Sequence, residues 1–489
     1  MGHLIGIDAG SQSIKGVLVD PAGKVVATAA APLTMAHPRS GWAEQDPHTW
    51  ESAVEAVVRD LTRQSADAEV MALGLACQVD GVVACDVYGQ ALRPAIIWLD
   101  RRATAQTAQL VGAIGTDCLL EVTGLNADSS HSAPKMMWLR DCEPDIWAAT
   151  TTLAPVSSYL LHWLTGVHAQ DAANASSTLL YDLASETFHA ALCEAAGIDP
   201  ALLPPVRPST DVVGTLTARA ARQLGLPESC QVVVGTGDEH AASLAAGAIG
   251  PGMVVDVTGT AEPVTAASTD PLRDPTGLVE THGHAVPGTW LMENPGFVSG
   301  GSTLWLAKSV LGRPQADVFD LAAEAPAGAD GVIFLPTMCG STTPRWNDAM
   351  RGAFTGLSMN HGQSHLARAV LEGCAFALRD VVERLTELGL AGDEVRVVGG
   401  GARSPLWLQV KADVLGCPVL AVTSRETTAL GAAMLAGVGV GVWPTFAAAV
   451  AAAVEVAPEP VLPDTAHRSV YDDAYGRYLS LFDGVERAT

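Results

Sequence analysis

Positive charge is scarce in this chain of 489 residues: 28 Lys and Arg stand against 53 Asp and Glu, a formal net charge of -25 at pH 7. A surface that acidic repels phosphate backbones and anionic lipid, so neither nucleic acid nor a membrane is an expected partner. It repels a nucleotide as well, so any phosphate site must rest on backbone N–H groups and a metal ion. Cysteine is sparse and unpatterned, nine residues with no CxxC pair and no Cys/His cluster at metal-ligand spacing. That predicts reduced thiols and a cytoplasmic protein rather than a disulfide framework. Several signatures are missing. No G-x-x-x-x-G-K-[ST] occurs, and no G-x-G-x-x-G lies between a strand and a helix. The absence of HExxH and GxSxG sets aside zinc proteases and α/β hydrolases. No basic segment followed by an apolar one opens the sequence, so no secretory signal is expected. A long apolar run is nearly present, since no charge falls between Glu426 and Glu455. Gly437, Gly439, Gly441 and Pro444 interrupt it, which predicts two buried helices joined by a glycine-rich turn rather than a membrane span.

What is there is globular. Hydrophobic residues make up 48% and charged residues 17%, and the length exceeds what one core usually serves, so two domains are expected. Leu4–Ile7, Ile14–Val19 and the run from Val25 read as strands of an antiparallel meander, with Asp20-Pro21-Ala22-Gly23 as a turn. Asp46-Pro47 starts a helix, Asp as N-cap and Pro at the first helical position. Trp50, Ala53, Val54, Val57, Val58 and Leu61 mark its buried face. Strands are expected again at Val70–Leu75, Gly81–Val87 and Gln231–Val234. The design then restarts: strand Gly252–Val257, turn Thr258-Gly259-Thr260, returning strand Val264–Ala266. This predicts a duplicated α/β protein with one domain over 1–246 and another over 247–489. Val395–Val398 leads into Gly399-Gly400-Gly401 and a helix from Pro405, and an amphipathic helix closes the chain over His467–Phe482.

Three glycine turns follow strands, at Gly10-Ser11, Gly259-Thr260 and Gly399–Gly401. Glycine lets backbone approach a ligand and a following hydroxyl can bond a phosphate oxygen; each alone is also an ordinary tight turn. Asp8 and Asp238 sit at strand ends, where a carboxylate suits Mg²⁺ ligation or proton abstraction, or merely a turn or cap. Lys15 lies inside a strand, where an exposed lysine is the plainer reading. Gln78-Val79-Asp80-Gly81 and Trp98-Leu99-Asp100-Arg101-Arg102 pair polar side chains with an aromatic, a mixture that fits a polyhydroxylated ligand; a β-turn and a helix cap are the alternatives. His131, His240, His282 and His284 stand apart in sequence and read as structural rather than metal-binding.

Together these segments resemble the FGGY family of carbohydrate kinases. Ile5–Lys15 is similar to the family's first phosphate loop, and His37-Pro38 with Gly41–Pro47 to its pentulose-kinase branch. Ala133–Leu139 is similar to one family signature. Gly352–Leu357 with His365–Glu372 is similar to another, and Val398–Ser404 to the adenosine-side motif. The resemblance implies an α/β protein of two ribonuclease H-like (actin/hexokinase-type) domains around a cleft. It also implies ATP, Mg²⁺, and a neutral sugar or polyol as acceptor. In this light Asp238 is the catalytic base, and Asp8 and Asp238 are the carboxylates at the metal. ATP falls to Ser11, Gln12, Lys15, Thr258, Gly259, Thr260, Gly399, Gly400, Gly401, Arg403 and Ser404. The acceptor falls to Gln78, Val79, Asp80, Asp100, Asp238 and Glu239. The pattern lies nearest the family's xylulokinase branch, which implies D-xylulose as acceptor; the other readings are a kinase for erythritol, ribulose or a glycerol-like polyol, or a binder without turnover. The family's xylulokinases typically carry His at position 80 and an amide at position 239, so two carboxylates here depart from that pattern. Beyond these small molecules, a second copy of the chain in a homodimer is the one partner allowed for.

Overall fold

Short apolar runs broken by small-residue turns build the first sheet. The computed structural model describes residues 2–488. β1 (His3–Ala9), β2 (Ser13–Val19) and β3 (Val25–Pro32) pair as the expected antiparallel meander. Asp46 caps α1 (Pro47–Gln64), its carboxylate accepting from the His48 amide at 3.0 Å. The face from Trp50 to Leu61 is buried as its spacing requires. β4 (Val70–Cys77) then runs parallel to β1. The strand expected over Gly81–Val87 shrinks to Val83–Cys85, which leaves the main sheet to pair with Thr152–Ala154. A largely helical segment follows, including α2 (Ser132–Cys142). The sheet is completed by β5 (Val212–Thr215), β6 (Gln231–Val233) and β7 (Thr236–Gly237), in the order β5–β6–β4–β1–β2–β3 with β7 beside the end of β4.

α3 (Asp238–Ala245) leads into the second half. Its elements are β8 (Val254–Thr258), β9 (Ala261–Ser268), β10 (Glu280–Gly283), β11 (Trp290–Val298), α4 (Gln363–Glu387), β12 (Val395–Gly399), α5 (Pro405–Leu415) and β13 (Val419–Ala421). The order is β10–β11–β9–β8–β12–β13, antiparallel on one side and parallel from β8 to β13. This repeats the first plan of meander, helix and parallel strand, so the restart read from sequence is a repeat of topology.

The uncharged stretch forms α6 (Thr427–Gly439) and α7 (Phe446–Ala453), two helices as its glycines and proline require. Among the described residues no helix is long and apolar enough to cross a membrane. α6 does not stay with the second sheet but lies on β1, β4 and α3 of the first half. Glycine makes that seat possible: a Cβ on Gly6 would stand 1.9 Å from the Ala429 carbonyl oxygen, and one on Gly74 2.0 Å from that of Ala432. α8 (Arg468–Glu486) covers the second core with Tyr471, Ala474, Tyr478 and Phe482.

Candidate active site

The carboxyl ends of β1, β4 and β7 bring the first candidates together, as open α/β sheets do for ligands. Asp8 of β1 lies in register with Ala76 of β4, and Thr236 and Gly237 of β7 pair with Ala76 and Cys77. Asp8 and Asp238 therefore flank one strand end, roughly 10 Å apart by two strand spacings. Asp238 opens α3 and accepts its neighbour's amide at 3.2 Å. Burial pushes the Asp8 carboxyl up to about 7, with Lys15 pulling the other way and Glu426 adding to the rise. Burial likewise raises Asp238 well above the usual range, reinforced by Glu239 and by Asp8 itself. Two neighbouring, mutually repelling carboxylates are a donor set that suits a divalent cation. No group of three or more His, Cys, Asp or Glu among the described residues forms a metal cage.

The expected nucleotide residues come from both halves. Lys15 of β2 pairs with Glu426, the residue before α6, at 2.9 Å, and the charge of Arg403 also reaches it. Lys15 and Arg403 thus place two of the chain's few cations near one another. Ser11 and Gln12 form the turn after β1, and the Ser11 carbonyl accepts from Gln45 at 2.7 Å. Across the cleft, Thr258-Gly259-Thr260 turns β8 into β9 with Gly259 and Thr260 exposed. The amides of Gly300 and Gly301 donate to the carbonyls of Gly259 and Thr260, each at 3.0 Å. Sequence reasoning passed over this Ser299–Gly301 turn, although a Gly-Gly pair at a strand end was there to be read. Gly399, Gly400 and Gly401 end β12 beside it. Two expected ligands have other work. The Thr258 side chain is 1% exposed and engaged beneath its turn, donating to Asp256 at 2.9 Å and accepting from Lys411 at 2.5 Å. Ser404 caps α5, accepting from the Trp407 amide at 3.3 Å.

The expected acceptor side is richer in acid than the sequence reading foresaw. Asp80 sits at φ 61, a left-handed turn position, with its carbonyl accepting from Lys135 of α2 at 2.7 Å. Its carboxylate faces His131, Nδ1 to Oδ1 3.4 Å. Burial alone would lower His131, but Asp80, with Glu280 and Asp128, outweighs it and holds the imidazolium up to about 9. The second half supplies Glu280 of β10, whose Oε1 accepts the Asn126 amide at 2.7 Å, and Glu293 of β11. Glu293 lies close enough to Glu239 for each to shift the other's titration. Burial pushes Glu280 and Glu293 up to about 7 and Glu239 well above the usual range. None of the four histidines is isolated in space. His131 joins the acids, while the ring of His240 lies 5.7 Å from that of His282 and 6.2 Å from that of His284. Gln78 is buried behind this wall, donating to Gln45 at 2.8 Å, and so ties the acceptor side to the Ser11 turn. Val79 follows at the strand end and packs toward Gly237.

Asp100 is engaged within the protein. It is fully buried, and its carboxylate accepts from the Ala43 amide at 2.6 Å, the Arg102 amide at 2.9 Å and the Arg102 guanidinium at 2.9 and 2.7 Å. A carboxylate has about four acceptor positions; all are taken, so Asp100 braces the loop and offers nothing to an acceptor. The braced guanidinium stacks 3.6 Å from the ring of Trp42 and 4.8 Å from that of Trp138.

Known proteins match this arrangement along its whole length. Residues 3–245 match the N-terminal domain, and residues 254–440 the C-terminal domain, of the FGGY family of carbohydrate kinases. The chain is 30% identical over 482 residues to the xylulose kinase of Lactococcus lactis, covering 97% of this chain and 95% of that protein. It is 35% identical over 464 residues to the glycerol kinase of Gloeobacter violaceus, covering 92% and 91%. Among solved structures, the xylulose kinase of Rhodospirillum rubrum superposes with a TM-score of 0.92 at 33% identity, covering 99% of both chains.

Proposed function

As this chain belongs to the FGGY family of carbohydrate kinases, we propose that it transfers the γ-phosphoryl group of ATP to D-xylulose, giving D-xylulose 5-phosphate and ADP. The observation that carries the choice of acceptor is the end-to-end likeness to xylulose kinases, in sequence and in fold. We divide the protein at 246/247, an acceptor lobe before it and a nucleotide lobe after it, with α6 and α7 reaching back across the boundary. Nine free cysteines support a cytoplasmic location.

In this reading Asp238 takes the proton from the attacking hydroxyl as the phosphoryl group moves in line. The environment that raises its pKa also makes its ionised form a stronger base than a solvated carboxylate, and such a base contributes about 10²–10⁴-fold. Asp8 and Asp238 would hold Mg²⁺, which when bound neutralises charge on the phosphates. Lys15 and Arg403 add cationic groups beside them, and backbone N–H groups of the glycine turns supply the rest. His131 and Asp80 orient the acceptor's hydroxyls, one donating and one accepting. Closure of the lobes excludes water, which would otherwise compete as acceptor.

A second reading keeps the chemistry and changes the acceptor to another neutral polyol. Asp80 and Glu239 favour it, together with the acids that the second half adds, because a carboxylate accepts from two neighbouring hydroxyls. Acidic sugars are disfavoured on either reading. ADP release measured with D-xylulose, D-ribulose, erythritol, glycerol and gluconate decides. The highest kcat/KM on D-xylulose supports the first reading, and the highest on a polyol replaces it with the second. ADP release that no acceptor stimulates overturns both.

A further inference from the structure

Beneath the glycine turns of the nucleotide lobe lies a charged cluster that touches no cleft surface. Asp256 of β8 and Glu262 of β9 are 0% exposed and Lys411 of α5 is 1% exposed. Lys411 Nζ donates to Asp256, to Glu262 at 3.0 Å and to Thr258 Oγ1 at 2.5 Å. An ammonium has three donors, and each has its own acceptor here. The Thr258 hydroxyl donates onward to Asp256 at 2.9 Å, and Ser299 donates to the second oxygen of Glu262. Burial, then Asp256, pushes Glu262 up to about 8, so at neutral pH the cluster of one ammonium and two carboxyl groups carries little net charge.

The cluster reaches all three turns at once. Thr258 begins the first and Ser299 begins the second. The third, Gly399–Gly401, runs into α5, the helix that carries Lys411, through its cap Ser404. The third turn also sits directly on the first: a Cβ on Gly401 would come within 2.4 Å of Thr258 Cγ2. Thr258 is therefore the point where the turns converge, and its hydroxyl is fixed from below by Lys411. A buried ion cluster is often neutral for stability when replaced by matching uncharged groups, so its stability role and any positioning role can be separated.

We propose that Lys411 is a positioning residue for the nucleotide, setting the spacing of the three glycine turns through Thr258 and so tuning affinity for ATP without affecting the acceptor. This rests on the reading above that the Thr258–Thr260 and Gly399–Gly401 turns hold ATP. Lys411→Met alone would leave two carboxyl groups buried without their cation, so the informative variant is Lys411→Met/Asp256→Asn/Glu262→Gln. It removes the charges and keeps the shapes, and the amide oxygen introduced at 256 still accepts from Thr258. Thr258→Val is the companion; it replaces the hydroxyl by a methyl group and leaves the three charged side chains in place.

The readouts are calorimetric binding of MgADP, KM for ATP and for the acceptor, and thermal melting. Displacement of the turns that Thr258 holds together predicts MgADP binding weaker by about tenfold in both variants. KM for ATP should rise in parallel, acceptor KM should move by less than about twofold, and Thr258→Val, which leaves one donor of the buried ammonium unpaired, should melt below the parent while remaining folded. MgADP affinity within twofold of the parent in Thr258→Val overturns the proposal, whether or not the triple variant folds. Equal rises in the KM for ATP and for the acceptor overturn it too. A parent protein that binds no MgADP contradicts the underlying ATP reading instead, and removes the basis for this one.

Discussion

Asp80→Asn separates a turn residue from an acceptor ligand. Asp80 stands at φ 61, and asparagine tolerates the left-handed region as readily as aspartate does. The backbone should therefore hold, and the Asp80 carbonyl keeps its bond from Lys135, 2.7 Å long. What changes is charge. Asp80 is the strongest influence that keeps His131 protonated, up to about 9, against the effect of burial. Without it, desolvation prevails and His131 falls toward neutrality. At pH 7.5 the pocket then loses an acceptor carboxylate and an imidazolium donor together. A bond between a hydroxyl and a charged group is worth about 1.5–3 kcal/mol, so KM for the acceptor should rise roughly tenfold to a hundredfold. KM for ATP should change by less than about threefold, since none of the residues proposed for ATP touches Asp80. Steady-state kinetics on D-xylulose and a polyol measure both, and NMR titration of His131 measures the intermediate step. An acceptor KM unchanged while the His131 titration moves down would refute the acceptor role and leave Asp80 as a turn residue.

Other outcomes follow from the same geometry. Glu293 is raised from 4.5 to about 7, by burial first, so the folded protein holds a proton that the unfolded chain releases between those values. Stability therefore falls as pH rises through that window, by about 3 kcal/mol, and Glu293→Gln should raise the melting temperature at pH 8 with no gain at pH 4.5; an equal gain at both contradicts it. His131 acts in the same direction, its stabilisation lost as pH climbs through about 9. Asp8→Asn should erase most of the Mg²⁺-dependent gain in affinity for a nonhydrolysable ATP analogue, roughly tenfold, in calorimetry with and without the metal; an undiminished gain places the metal elsewhere. Asp100→Asn should destabilise by about 1–3 kcal/mol, because it removes one of the two carboxylates that pair the buried Arg102, the other being Glu44 at 2.8 Å, yet leave the acceptor KM of the folded fraction unchanged; a raised acceptor KM with unchanged melting would restore Asp100 to the pocket.

The chain's order of strands, turns and caps was legible because those signals are local. Asp46 caps α1, Gly and Pro divide the uncharged stretch into α6 and α7, and the hairpin at Thr258 repeats the one at Gly10. The destination of α6 was not legible. It depends on Gly6 and Gly74 letting a helix from the second half lie on strands of the first. Polar residues divided along the same line. Asp238 and Asp8 announce themselves at strand ends, whereas Asp100 carries an equally suggestive context and proves saturated by Arg102 and Ala43. Glu280 and Glu293 lie on strands of the other half, distant in sequence from Asp80 and Glu239, and no local pattern links them. His131 looked unpartnered for the same reason. Lys411 carries no local signal in the helix from Pro405, and only the third dimension brings Asp256 and Glu262 to it.

The base at Asp238 is the centre of the account, and Asp238→Asn tests it most directly. The substitution preserves shape and removes the ability to take a proton. Acceptor-stimulated ADP release should fall by about 10²–10⁴-fold, while MgADP binding and the melting temperature stay close to those of the parent. Near-normal turnover in that folded, nucleotide-binding variant would contradict the assignment of Asp238 as the group that deprotonates the acceptor.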